Sequence, residues 1–487
     1  MSDEIALLSA TELLALYRTK ALSPVEAVEA CLARIERYNA TLIAFRVVAA
    51  DEALAAARES EARWMRGEPL GLLDGVPTSI KDSHDVKGWT TLHGSLTMQD
   101  TQPAGSDAPH VARLREHGAI FLGKTTLCEF GWKCVTDSPL TGVTRNPWNH
   151  EKTASGSSGG AAVSAATGMA AINMGGDGGG SIRAPAAFCG VFGIKPTYGR
   201  VPRFPAESFI ACAHFGPLTR SVGDAALAMT VITGPDHRDA FALPYDGRDY
   251  SARLDGGVKG LRIAYSADLG YLTVDPEVAS IVAAAVKVFE DLGAVVDEAN
   301  PGLGDTFAAY KVMNSAYQVP KIRDKTAEQI AMMDPVLVAN ARVGETLSAF
   351  DLLEAGKVRA DMAFKMAEFH RRYDLLITPT LPVPAFDVGR NNPSMLEEAG
   401  SADDRLYCLF NHFLYQVNYT HQPAASLPCG FTHDGLPVGL QIIGPRFSDH
   451  VVLAASCAFE TIAPFRMPGP PQLDCVNANA RDSAQHP

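Results

Sequence analysis

Over the first 66 positions, apolar residues recur at the spacing of one helix face. Ser9 and Glu12 stand three apart, as in a capping box. Ser23, Pro24 and Glu26 supply an N-cap, a first-turn proline and a reciprocal carboxylate. Val25, Val28, Leu32 and Ile35 then form an apolar stripe, and residues 51–66 repeat the helical pattern. From Leu70 the texture changes. Pro77–Ile80 and Ala119–Leu122 read as short buried strands, with a helix over His110–His117 between them. Further strands are expected at Leu261–Tyr265, Ala294–Val296, Asp374–Thr380, Ala424–Pro428 and Val438–Ile443. A helix over Pro276–Leu292 should stop at Gly293. Residues 303–372 read as long helices that form a cover, and 465–487 as a loosely held tail. Strands alternating with helices predict an α/β domain with a mainly parallel or mixed sheet.

Composition narrows this little. The chain has 487 residues, 47% hydrophobic and 20% charged, an ordinary globular balance. Length alone suggests about three domains. The candidate chemistry spans distant segments, however, so one catalytic unit is expected. The net charge of −13 gives no basic footprint for nucleic acid. Nine cysteines without a CxxC pair read as reduced thiols rather than a disulfide or zinc framework. The N-terminus MSDEIALLSA is acidic where a secretory signal is basic, and no apolar run reaches the roughly 18 residues that cross a bilayer. A cytoplasmic protein without membrane partners is the expectation.

Three segments carry candidate chemistry. In GDGGGSIRAPAAFCG (Gly176–Gly190), Ser181 follows Gly178, Gly179 and Gly180. Glycines let successive N–H groups converge on one point, so Ser181 reads as a nucleophile beside an oxyanion hole built from those amides and its own. The bland alternative is a glycine-rich turn. Lys81 ends the apolar run VPTSI, where burial would lower its pKa and make the amine a base. Against this, Asp82 next door offers a simple ion pair. Between them in sequence lies SGSSGG (Ser155–Gly160). A serine hydroxyl both donates and accepts, so Ser157 can pass a proton between Ser181 and Lys81, while Ser157 or Ser158 can equally cap a helix starting near Gly159. Asp177 and Arg183 read as a pair that holds the nucleophile loop. Phe130, Trp132, Phe192, Phe204 and Phe209 are candidates for an aromatic pocket, although aromatic residues more often fill cores.

These segments, with GIKPTYGRV at Gly193–Val201, GKTTLCEFG at Gly123–Gly131, TRNPWN at Thr144–Asn149 and PAASLPCGFTHDGLPVGLQIIGP at Pro423–Pro445, resemble the amidase signature family over most of the chain. The resemblance implies one large α/β domain over 1–487, with a mixed, mostly parallel sheet covered by helices on both faces. Within it would lie N-terminal helices (1–68) and a catalytic core (69–230). It implies a Ser–Ser–Lys triad: Ser181 as nucleophile, Ser157 as the bridging serine after a cis peptide bond, and Lys81 as base. The amides of Gly178, Gly179, Gly180 and Ser181 would form the oxyanion hole, with Ser158, Asp177 and Arg183 in support. No metal or organic cofactor is implied. The expected substrate is an aryl or alkyl amide such as an anilide, as for free-standing amidases and aryl acylamidases, with carbamates, as for urethanases, the close variant. A homodimer stays open.

The chain departs from the family pattern at several places, Ser155 standing for the first glycine of the usual GGSSGG. The usual TDTGGS is Gly176-Asp177-Gly178-Gly179-Gly180-Ser181 here, which opens space at Gly178. The family's glutamyl-tRNA amidotransferase subunits usually carry Gln where this chain has Ala184, and a serine-rich segment where it has FIACAHFGP. Both weaken glutamine hydrolysis as the native task. A rival of another class is Gly118–Thr125, GAIFLGKT, which fits the phosphate-loop pattern. Its bulky Ala-Ile-Phe-Leu centre argues against nucleotide binding, because a phosphate cradle needs small residues that curl.

Overall fold

The computed structural model describes residues 2–205, 212–401 and 403–467. The expected caps form: Ser9 with Glu12 and Ser23 with Glu26 close reciprocal capping boxes on helices Ala10–Thr19 and Pro24–Leu42. Each box satisfies N–H groups that a helix end leaves unpaired.

Thirteen strands occur among the described residues: β1 (Phe45–Val48), β2 (Pro77–Lys81), β3 (Ile120–Thr125), β4 (Asp137–Ser138), β5 (Gly142–Val143), β6 (Ile172–Asp177), β7 (Phe192–Lys195), β8 (His214–Thr219), β9 (Arg262–Tyr265), β10 (Val295–Glu298), β11 (Leu375–Pro379), β12 (Ala424–Phe431) and β13 (Pro437–Ile443). Eleven build one sheet in the order β1-β3-β2-β6-β8-β7-β12-β13-β11-β9-β10, and β4 with β5 makes a separate ribbon. The sheet is mixed, as expected. Its parallel pairs lie in two three-strand blocks, β3-β2-β6 and β11-β9-β10. The other six of the ten pairings are antiparallel, so the parallel character belongs to these blocks rather than to the whole sheet. Short connections explain part of this: β12 and β13 are joined by a tight turn over 432–436, which only antiparallel neighbours allow.

Helices cover both faces. Neighbouring residues of one strand enter different cores, because strand side chains alternate. Ile263, Leu375 and Ile442 pack with helices Val222–Ile232, Pro276–Asp291 and Asp449–Ile462. Ala264, Leu376 and Ile443 pack with helices Phe307–Ile322, Ala349–Phe369 and His412–Tyr419. Within the predicted cover, helix Ala349–Phe369 therefore lies on the sheet face, and Phe307–Ile322 is the helix that reaches the cavity described below. Most of the expected tail, 468–487, falls outside the described residues. No helix among the described residues is long and apolar enough to cross a membrane.

Candidate active site

β2 and β6 are parallel neighbours, so their C-terminal ends open on the same edge of the sheet. Lys81 is the last residue of β2, and Asp177 the last of β6. The chain then runs through Gly178, Gly179 and Gly180 to Ser181 before helix Arg183–Cys189 begins. The third segment delivers Ser157 and Ser158 at the start of helix Gly159–Ala166, whose eight small residues are all buried. The bond between Gly156 and Ser157 is cis, as the resemblance implies. The backbone Ser158 N–H donates to Ser181 O at 3.1 Å, which ties the two serine segments together.

Lys81 meets serines, not its sequence neighbour. Its Nζ donates to Ser157 Oγ at 2.7 Å and to Ser158 Oγ at 2.8 Å, with Gly176 O at 3.4 Å. Asp82 is instead held by Arg46, through two bonds of 2.6 and 2.9 Å. The simple Lys81–Asp82 pair allowed by the sequence is thus replaced by a partner 36 residues upstream of Asp82. Lys81 is only 3% exposed, and burial lowers its ammonium to about 8. Neither serine caps the following helix through its side chain. Ser158 Oγ donates to Gly176 O at 3.2 Å and so braces β6. Ser157 and Ser181 line the same cavity, and among the described residues no hydrogen bond joins their hydroxyls.

The loop over 178–181 differs from expectation in one donor. Gly180 N–H is already committed to Asp177 Oδ1 at 2.7 Å, so it is not free for an oxyanion. The N–H groups of Gly178, Gly179 and Ser181 have no acceptor among the described residues, which leaves three of the four expected donors uncommitted. Gly180 has φ of +118°, and a Cβ there would overlap Leu414 Cδ1, so this turn requires glycine. At Gly178 a Cβ would meet nothing nearer than Ala213 Cβ at 3.9 Å, so the space expected there is present. Asn411, which sequence reading missed, donates to Gly179 O at 3.2 Å and to Tyr310 OH at 3.2 Å.

Asp177 and Arg183 form the structural pair expected of them. Both are fully buried, and Arg183 also donates to Gln441 Oε1 at 2.6 Å, Asn418 Oδ1 at 2.6 Å and Leu414 O at 3.1 Å. Burial pushes the Asp177 carboxyl up, but Arg183, with Lys195 and Asn418, outweighs it and holds the group well below the usual carboxylate range. A permanent carboxylate can then hold the N–H groups of Gly180 and Ile182.

These groups open into a cavity of about 270 Å³. Phe130 and Trp132 line it, with Phe215, Tyr310, Tyr317 and Tyr419. Phe192 is instead buried in the sheet core, Phe204 is a partly exposed residue away from the lining, and Phe209 lies outside the described residues. One wall is a single helix face: Tyr310, Met313, Asn314, Tyr317, Gln318 and Lys321, spaced by three and four. Trp132 is fixed from behind, its Nε1 donating to Asp334 at 3.3 Å, while Lys133 bridges Asp334 at 2.9 Å and Asp137 at 2.5 Å.

Gly118–Thr125 is no phosphate loop. Ile120–Thr125 is a fully buried strand, and Gly123 lies so close to β1 that a Cβ would overlap Val47 O. Lys124 Nζ is spent on His84 O at 2.6 Å and Thr91 Oγ1 at 2.9 Å.

Ser181, at the end of a glycine run, lines one cavity with Lys81, whose amine is held by Ser157 and Ser158. The chain belongs to the amidase family, whose model matches residues 26–453. It is 38% identical over 464 residues to an acylamidase of Rhodococcus erythropolis, covering 94% of this chain and 96% of that one. It is 36% identical over 482 residues to a glutamyl-tRNA(Gln) amidotransferase subunit of Moorella thermoacetica, covering 94% and 97%. Its fold superposes with a TM-score of 0.86 on a bacterial aryl acylamidase of the amidase signature family, at 33% identity and 94% and 96% coverage. The protein is an amide-hydrolysing enzyme.

Proposed function

We propose that this enzyme cleaves aryl or alkyl amides, anilides among them, through an acyl-enzyme on Ser181, with Lys81 as base and Ser157 as the relay. The observation that carries the reading is the 2.7 Å bond between Lys81 Nζ and Ser157 Oγ in a buried site where the ammonium titrates near 8. Neutral Lys81 takes the Ser157 proton as Ser157 takes the Ser181 proton. Ser181 Oγ attacks the carbonyl carbon, and the N–H groups of Gly178, Gly179 and Ser181 hold the oxyanion; one such donor is worth about 3–4 kcal/mol. The proton then returns along the same line to the leaving nitrogen, the C–N bond breaks, and water releases the acid. The Ser181–Ser157 contact closes when the carbonyl enters, as catalytic hydrogen bonds commonly tighten only with substrate bound. The aromatic lining near Trp132 and Tyr310 favours a flat or apolar amide over a small polar one.

A second reading, ammonia release from glutamine, draws on the likeness to the amidotransferase chain. It is disfavoured by Ala184 and by the FIACAHFGP stretch. A panel of an anilide, a primary amide, glutamine and an aryl carbamate, each run against Ser181→Ala, tests the assignment. Anilide turnover that Ser181→Ala abolishes supports it. Turnover of glutamine alone supports the second reading. Anilide turnover that survives in Ser181→Ala overturns the serine mechanism.

A further inference from the structure

The helix wall of the cavity carries one charged group that the mechanism does not use. Lys321 follows Met313, Tyr317 and Gln318 on the cavity face. Its Nζ donates to Gln318 Oε1 at 2.9 Å and lies 3.9 Å from the centre of the Tyr317 ring. No carboxylate pairs with it among the described residues. The same lining holds the apolar and aromatic Leu127, Phe130 and Trp132 and the uncharged polar Ser83 and Asn314.

The charge balance of the cavity leans one way. Among the described residues its lining includes Lys81, Lys133 and Lys321 with one acid, Asp177. Asp177 belongs to Arg183, and Lys133 belongs to Asp137 and Asp334. Lys81 is held by serine hydroxyls. An amide oxygen and a ring face are weak counterparts for a lysine ammonium in such a wall. Among the described residues no acid pairs with Lys321, in a chain whose net charge is −13. Burial lowers the Lys321 ammonium to about 7, and Arg203 acts in the same sense; an anion seated against it acts in the opposite one.

We infer that Lys321 is a specificity-determining residue that receives an anionic group, a carboxylate carried by the amide substrate away from its scissile bond. This rests on the acyl-transfer reading above and narrows it. The substrate class becomes amides with one apolar or aromatic part and one carboxylate, rather than neutral anilides in general.

The test compares carboxylate-bearing anilides with neutral isosteres. Succinanilic acid, glutaranilic acid and N-butyryl-3-aminobenzoate each meet a partner in which an isopropyl group replaces the carboxylate. In the wild type, at least one acid should exceed its isostere in kcat/KM. Lys321→Met and Lys321→Gln should lower that ratio about tenfold or more, mainly through KM, as expected for a lost charged hydrogen bond. Lys321→Arg should keep most of it. Calorimetric binding of the same pairs to Ser181→Ala, with and without Lys321→Gln, reads the subsite without chemistry. No turnover with discrimination intact in binding would sink the acyl-transfer reading alone. Neutral isosteres preferred throughout, or a ratio unmoved by both Lys321 variants, would overturn this inference.

Discussion

Lys81 and Lys124 stand on adjacent parallel strands, both buried, both with ammonium groups lowered by burial to about 8. The β2–β3 register pairs Ile80 with Lys124 and Lys81 with Thr125, so alternation sends the two amines to opposite faces. Lys124 donates to the His84 carbonyl and Thr91, with Asp82 at 3.7 Å. Lys81 donates to two serine hydroxyls at the edge of a cavity. A perturbed amine is therefore not what marks the site. The surroundings decide: Lys81 and its serine hydroxyl partner Ser157 border the cavity, whereas Lys124 and its partners His84, Thr91 and Asp82 are absent from the lining.

Substitutions sharpen this contrast. Ser181→Ala should have the largest effect, a loss on the order of 10⁴-fold or more in kcat with thermal stability retained, measured by aniline release and melting. Lys81→Met should cost about 10²–10⁴-fold on an anilide and less on an activated ester, because only the amine must be protonated as it leaves. In the wild type the base must be neutral, so activity should rise with pH through about 8 and fall below it. Ser157→Ala and Ser158→Ala separate the two acceptors. The first should lose on the order of 10²-fold in kcat, and the second about tenfold, since its hydroxyl also serves Gly176 O. Lys124→Met should leave the acid limb of the pH profile in place and cost about 1–3 kcal/mol of stability, read by denaturant unfolding. If Lys124→Met moved the limb and Lys81→Met did not, the two roles would be reversed.

Much of the site was readable because its segments are local. The capping boxes, the glycine run before Ser181 and the serine pair before a small-residue helix are patterns of a few residues. The Asp177–Gly180 bond had a sequence signal that was not used: an aspartate whose carboxylate accepts from an N–H three residues on. What stayed hidden is long-range. Arg46 claims Asp82 through the β1–β3–β2 edge of the sheet, a pairing that no local pattern encodes. Helix Phe307–Ile322 reads as amphipathic, but the pattern cannot say that its face with Asn314, Gln318 and Lys321 meets a cavity rather than solvent. The strand order and the direction of each pairing escaped for the same reason. Periodicity finds a strand such as Ala424–Phe431 but not which neighbour it joins or in what sense.

The claim at the centre is that the amine of Lys81, acting through Ser157, makes the Ser181 hydroxyl a nucleophile. The rate at which a fluorophosphonate modifies the enzyme, followed against pH in the wild type and in Lys81→Met, tests it most directly. The account predicts added mass on the peptide containing Ser181, a wild-type rate that falls on acidification below about pH 8, and a slow rate with that acid limb lost in Lys81→Met. Modification of a different residue, or equal rates for the two proteins across the pH range, would contradict it.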